Sequence, residues 1–177
     1  MPSPKPALSA LNAYRIAKSR IVYKATLGWI NCYPESSRPR TAEFAFAGAS
    51  HRALELGYHL EEFYASTKEQ WRRLPRILKS RGIEGLLLPP PPKIRDMEGM
   101  QAFPWHDFHA VALAFLCSEL EHPEISAIDQ NERQIGVEGA NQLVDLLRRN
   151  ERGAPEFCMH HLVEGRWLEA GSTPRKG

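Results

Sequence analysis

The stretch that most constrains the fold is RGIEGLLLPPPP, residues 81–92. Three consecutive leucines, Leu86–Leu88, follow a glycine and are stopped by four prolines, which cannot donate to a helix or a strand ladder. An apolar run without alternating polar residues is typical of a parallel strand buried on both faces. We therefore predict a buried strand at 83–88 whose carboxyl end opens onto a ligand crevice with a proline rim, because ligands of open parallel sheets bind there.

The segments before this strand alternate between strand and helix patterns. Runs rich in β-branched and aromatic residues predict strands, and apolar residues at three- and four-residue spacing predict helices. Such alternation indicates right-handed βαβ crossovers. The predicted fold class is α/β, with a mostly parallel sheet and helices on both faces. The predicted strands are 21–33, 58–65 and 83–88, and the predicted helices are 7–18, 41–56 and 68–81.

The same criteria apply to the second half of the chain. A loop is predicted at 93–108, a strand at 109–116, and a strand at 124–131 that leads into a crevice loop. The clearest amphipathic pattern predicts a helix at 133–150, and residues 157–173 are predicted to add a final strand and a tail. We expect all of these strands to join a single sheet.

Local signals predict the ends and the buried sides of the helices. Thr41 is predicted to cap the helix 41–56 and Gly57 to follow its end, while Ser66 or Thr67 is predicted to cap the next helix. Phe44, Ala47 and Leu54 are predicted to lie on the buried side of the first of these helices.

Composition excludes several classes of protein. The 177 residues suffice for one ordinary domain, and the net charge of +2 is too small by itself to indicate binding to nucleic acid or a membrane. No run approaches the apolar length of a membrane helix. Three widely separated cysteines, Cys32, Cys117 and Cys158, favour a reduced, cytoplasmic environment.

Several motifs, taken in order, resemble one family. TLGWINCY, a helix ending ALELGY, and LPRILKSRGIEGLLLPP are similar to the first part of the effector-binding domain of LacI-type transcriptional regulators. ISAIDQNERQIGVEGANQLVDLLRRNERGAP and HHLVEGRWLEAGST resemble its C-terminal part. The resemblance implies a shortened periplasmic-binding-protein-like domain, without the middle segment and without the N-terminal helix-turn-helix head.

The resemblance also implies a division of the chain. Residues 1–20 would be a hinge or linker, 21–116 the N-terminal βαβαβ part, 117–123 a junction, and 124–177 the C-terminal strand-helix-strand part. In the hinge, Leu11 and Arg15 would face DNA in a complete dimer, with Lys18 and Arg20 as further basic residues. A solvated basic turn is the alternative for these hinge residues.

The family's pocket positions fall on residues near strand exits. The resemblance places Asn31, Tyr33 and Phe44 near the first strand, Pro89 after the third, and Gln130 after the last long strand. Amides donate to and accept from sugar hydroxyls, and aromatic rings cover an apolar sugar face. The alternative is that Asn31 and Gln130 simply cap strand and helix ends.

Metal and enzyme chemistry are less favoured by the sequence. His160 and His161 are adjacent, so on a strand they would face opposite sides, and we expect no metal at them or at His106, Asp107 and His109. No serine or cysteine lies in a recognisable nucleophile motif, and no phosphate-binding glycine motif is found. We therefore expect no cofactor and no enzyme.

Three functions remain open at this point. The first is a LacI-type regulator whose shortened sensing region takes a sugar-like effector, dimerises, and reaches operator DNA only through a head outside this chain. The second is a stand-alone small-molecule-binding or dimerising module. The third is a small enzyme that uses His106 or Cys117. We further expect weak or no sugar binding. We also expect exposed apolar surface at Leu86–Leu88 and Val111–Leu116, because the middle segment would cover these residues.

Overall fold

A computed structural model describes residues 23–34, 38–90, 98–114, 127–153, 157 and 159–168. Its helices and strands follow the predicted order, and most of them are shorter than predicted. The strands are β1 Thr26–Asn31, β2 His59–Tyr64, β3 Gly85–Leu88, β4 His109–Ala112, β5 Ala127–Asp129 and β6 Arg166–Leu168; the helices are α1 Arg40–Glu55, α2 Lys68–Ser80, α3 Glu98–Gln101 and α4 Glu132–Arg149. The predicted helix 7–18 lies outside the described residues.

The first four strands form one parallel sheet in the order β2-β1-β3-β4. β3 pairs with β1 on one side and with β4 on the other, so the GLLL strand lies inside the sheet and parallel to its neighbours. Helices cover both faces: α1 and α4 pack on one, and α2 on the other. The α/β class with a parallel sheet is therefore confirmed.

The leucines of β3 are fully covered. Leu86 and Leu87 are 0% exposed and Leu88 is 3% exposed. Leu86 and Leu88 pack toward α2, whereas Leu87 packs toward α1 and α4. The expectation of exposed apolar surface at Leu86–Leu88 is wrong, because α4 supplies the cover on one face. Among the described residues, the most exposed large apolar side chains lie near the C-terminus, at Phe157, Met159 and Leu162.

Helix α1 buries its small residues. Its buried side chains belong to Ala42, Ala45, Ala49 and Ala53, together with Gly48, and α4 approaches this stripe closely. Phe44 and Leu54 are 43% and 46% exposed, so their predicted position on the buried side is wrong. Because α1 and α4 lie close together, only small residues fit between them, and Phe44 and Leu54 therefore lie on the outer side of α1. Pro39, not Thr41, occupies the N-cap position.

Helix α2 begins with a capping box. The Thr67 side chain accepts from the Gln70 N–H, and the Gln70 side chain reaches back to the Thr67 N–H, which confirms the predicted cap. Trp71, Leu74 and Leu78 form the buried side. The helix continues through Pro75.

The stretch predicted as a loop before β4 contains an aromatic cluster. It includes α3 and a turn of 3-10 helix at Trp105–Asp107. Phe103 contacts Trp71 of α2 at a ring distance of 5.6 Å and Phe108 at 5.2 Å. The irregular spacing of these rings gives no helical or strand period, although they complete the core beside α2.

The last two strands do not join the main sheet. β5 and β6 pair antiparallel with one another in a separate two-stranded sheet, so the expectation of a single sheet is wrong. The chain after α4 passes instead beside the start of β4, where the Gly153 N–H donates to the Phe108 carbonyl and Arg152 donates to the Asp107 carbonyl.

Candidate functional site

The carboxyl end of β1 is closed by a buried amide. Asn31 is 0% exposed, and its side-chain Nδ2 donates to Oε1 of Glu62 on β2 over 3.0 Å. Its Oδ1 accepts from the Tyr33 N–H over 2.9 Å. Both ends of the amide are therefore used within the protein, so Asn31 meets a ligand only if this arrangement opens.

Glu62 is the centre of this polar cluster. Besides Asn31, its carboxylate accepts from Arg38 Nη1 and from the Tyr64 hydroxyl, each over 3.1 Å. The Arg38 and Glu62 side chains are each 18% exposed, so water screens this ion pair less than a surface pair. The cluster ties β1, β2 and the segment before α1 together at the carboxyl edge of the sheet.

Aromatic contacts extend the cluster beneath α1. Trp29 is fully buried next to Glu62 in the sheet register, and its ring meets Phe46 edge-on at 5.4 Å. The Arg38 guanidinium lies 5.2 Å from the centre of the same Phe46 ring. In the described part of the chain, Trp29 Nε1 and Arg38 Nε have no hydrogen-bond partner. Phe46, rather than Phe44, thus faces the sheet at this edge.

The structure brings three of the five predicted pocket residues to one edge. Asn31 is the last residue of β1, Pro89 follows the neighbouring strand β3, and the half-buried Tyr33 lies two residues beyond Asn31. Gln130 is half-buried before α4, whose first turn packs against Gly48 of α1.

Phe44 stands apart from these residues. It is exposed on α1, with the Arg40 guanidinium 5.6 Å from its ring centre. The hinge residues Leu11 and Arg15, and the junction 117–123, lie outside the described residues.

Sequence reasoning missed Glu62, Arg38 and Tyr64. The signal was present in HLEEFY, where two carboxylates interrupt an otherwise apolar or aromatic strand. A charged side chain in a half-buried strand requires a partner, which in this fold is Arg38, 24 residues earlier.

Other side chains that could act as nucleophiles or metal ligands are either unreactive or exposed. Burial raises the pKa of the Cys32 thiol to about 11, so it is not a thiolate near neutral pH. The side chain of His106 is 81% exposed beside Asp107, and His160 and His161 are exposed. Among the described residues no three His, Cys, Asp or Glu side chains are grouped as metal ligands.

A cavity of about 340 Å³ lies away from the predicted pocket residues. It runs along β2, the outermost strand of the sheet among the described residues, and lies between that strand and α2, with Phe63, Leu74, Ile77 and Arg81 in its lining. None of the five predicted pocket residues lines it.

Comparison with known proteins identifies no relative by sequence. No known family model matches the chain, and no curated protein matches it significantly. A solved structure from Corynebacterium glutamicum, described as a transcription regulation repressor of the LacI family, aligns with 88% of this chain at 17% identity and a TM-score of 0.33. The chain spans 61% of the length of that protein.

None of the helices in the described ranges combines the length and the apolar character needed to cross a bilayer.

Proposed function

We propose that this chain is the effector-sensing region of a LacI-type transcriptional regulator, and that its effector is a small, sugar-like molecule. The observation that carries the proposal is the parallel βαβαβ arrangement with polar and aromatic side chains at its carboxyl edge, where open α/β sheets bind ligands. The order of the LacI-like motifs along the sequence supports the same function.

In this proposal the pocket residues have different tasks. Tyr33 and Gln130 are half-buried and contact the effector, and Pro89, which is itself buried, stiffens the rim. Asn31 is a positioning residue, because both of its amide ends are held by Glu62 and the Tyr33 backbone. Phe44 covers the effector only if the ligand extends to the outer side of α1, since the ring is 43% exposed there.

The regulatory part of the proposal concerns assembly. A small molecule changes DNA binding only through its different affinity for two states of the regulator. We propose that the chain acts as a cytoplasmic homodimer and reaches operator DNA through a head domain, with Leu11 and Arg15 in the connecting hinge. The exposed Phe157, Met159 and Leu162 favour such self-association.

The binding test uses amide and side-chain NMR resonances of the full chain during titration with a panel of monosaccharides. We expect millimolar affinity, with shifts at Tyr33 and Gln130, and weaker binding for Gln130→Ala. Gln142→Ala, a half-buried glutamine on α4, is the matched control. Chemical-shift changes confined to the cavity beside β2 would rule out the pocket at the carboxyl edge of the sheet, and so would the absence of any change at the highest sugar concentration. Micromolar affinity would contradict the expected weak binding.

A stand-alone binding or dimerising module is the second candidate, and the same exposed apolar residues favour it. Two measurements together distinguish this module from the regulator. Sedimentation at several concentrations measures dimerisation of the chain, and an operator search uses the chain fused to a helix-turn-helix head. Dimerisation with no operator retained by the fusion would favour the module.

A further inference from the structure

The outer face of α2 carries a concentrated positive charge. Between Lys68 and Arg81 the sequence has six cations and one carboxylate, Glu69. All six cationic residues are exposed, and where the side-chain exposure is known it is 52–75%. The cations are Lys68, Arg72, Arg73, Arg76, Lys79 and Arg81.

This charge exceeds that of the whole chain. The net charge of the 177 residues is only +2, so the positive charge is concentrated at α2 rather than spread evenly. Local ion pairs reduce it without cancelling it: Glu69 pairs with Arg72 and Arg73, Asp107 with Lys79, and Glu61 with Arg81. Arg72 and Arg73 share the single carboxylate of the helix, Glu69, so the pairs formed within the helix offset only part of its positive charge.

The rest of the helix restricts the kind of anionic partner. The apolar side chains of Trp71, Leu74 and Leu78 are buried against the sheet, and Ile77, at 41%, is the one large apolar side chain of α2 that is exposed. A helix that binds a lipid surface inserts its apolar face, which α2 cannot do without leaving the core. With Trp71 buried, α2 also offers no aromatic ring on which single-stranded bases could stack.

We propose that the outer face of α2 binds the phosphate backbone of double-stranded DNA, without reading its sequence. Four of the six cations are arginines, whose planar guanidinium matches phosphate oxygens in pairs. Arg72 and Arg76 are four residues apart and share one side of a helix that is about 20 Å long, so they meet successive phosphates along one backbone.

This contact lies on the sheet face opposite α1 and α4, and it needs neither the effector nor a head domain. The inference therefore goes beyond the proposed sensing function. Either can fail while the other stands, because one is measured with sugar and the other with DNA alone.

The test is fluorescence anisotropy of a labelled duplex of arbitrary sequence, titrated with the full chain over a series of salt concentrations. The variant is Arg72→Gln/Arg76→Gln, and the control is Arg148→Gln/Arg149→Gln, which removes the same charge from the exposed end of α4. Circular dichroism verifies that both variants keep their helix content.

We expect the unmodified chain to bind the duplex at low salt. In the α2 variant, the slope of log affinity against log salt should fall by about 1.8, since each phosphate contact contributes about 0.9. The control should keep the original slope. Equal weakening of both variants, no duplex binding at low salt, or tighter binding to phosphatidylserine vesicles or single-stranded DNA than to the duplex would each overturn the proposal.

Discussion

The side-chain amide of Asn31 donates to the carboxylate of Glu62 over 3.0 Å and so joins the carboxyl ends of β1 and β2. The two residues are 31 positions apart in the sequence. This bond fixes the position of the edge at which we propose that the effector binds, because the same carboxylate also holds Arg38 from the segment before α1.

Replacing Asn31 with alanine is expected to lower the free energy of unfolding by about 2 kcal/mol, since it removes the hydrogen bonds that the buried amide makes to the Tyr33 N–H and to Glu62 Oε1. Urea denaturation measures the change. Asn141→Ala is the control, because Asn141 also makes two side-chain hydrogen bonds, to Arg52 and Glu138, but is half-exposed on α4. Equal losses in the two variants would contradict a special role for the buried amide.

The close approach of α1 and α4 gives a second prediction. A Cβ at Gly136 would lie 1.9 Å from the Ala45 carbonyl oxygen, so Gly136→Ala forces the helices apart and should cost about 3 kcal/mol. Gly82→Ala is the control: its φ of +65° is unfavourable for alanine but no atom lies within 4 Å, so about 1 kcal/mol is expected. Thermal unfolding that ranks Gly82→Ala as the more damaging change would contradict the packing argument.

The order of strands and helices was predictable because each segment carries its own signal. β3 is an apolar run between Gly85 and Pro89, and α2 begins with a capping box that is visible as Thr67 followed by Gln70. These signals depend on neighbouring residues alone. Local pattern was therefore sufficient for the parallel sheet.

The helix faces and the polar cluster were not predictable in the same way. Helix α1 is rich in alanine, so its hydrophobic period has little contrast, and the close approach of α4 decides that Phe46 turns inward and Phe44 outward. The bond between Asn31 and Glu62 depends on the register of β1 against β2, which neither segment specifies alone. Tertiary contacts supplied this information.

The burial of strand β3 gives a third prediction. Leu87 is 0% exposed within the layer formed by α1 and α4, so Leu87→Ala should lower the free energy of unfolding by about 3 kcal/mol. Leu162→Ala, at a leucine that is 93% exposed, is the matched control and should change it by less than about 0.5 kcal/mol. Urea denaturation of both variants provides the comparison, and a small loss for Leu87→Ala would mean that α4 does not cover β3.

An ion pair at the amino edge of the sheet gives a prediction about pH. The hydrogen bond from Lys79 Nζ, 2.6 Å from Oδ2, is the largest cause that lowers the pKa of Asp107. A carboxyl whose pKa is lowered by folding stabilises the protein above its unfolded value of about 3.9, and this contribution is lost as the pH falls through the folded pKa.

Lys79→Met should therefore raise the pKa of Asp107 toward its ordinary value and make stability less dependent on pH in the acid range. The Asp107 carboxyl carbon, followed by NMR during an acid titration, reports the pKa directly. Arg76→Met removes a cation of the same helix that makes no hydrogen bond to Asp107, so it should leave the pKa almost unchanged. If both variants shift the pKa equally, the general positive field of α2 would be its cause; if neither does, the Lys79 bond is not formed in solution.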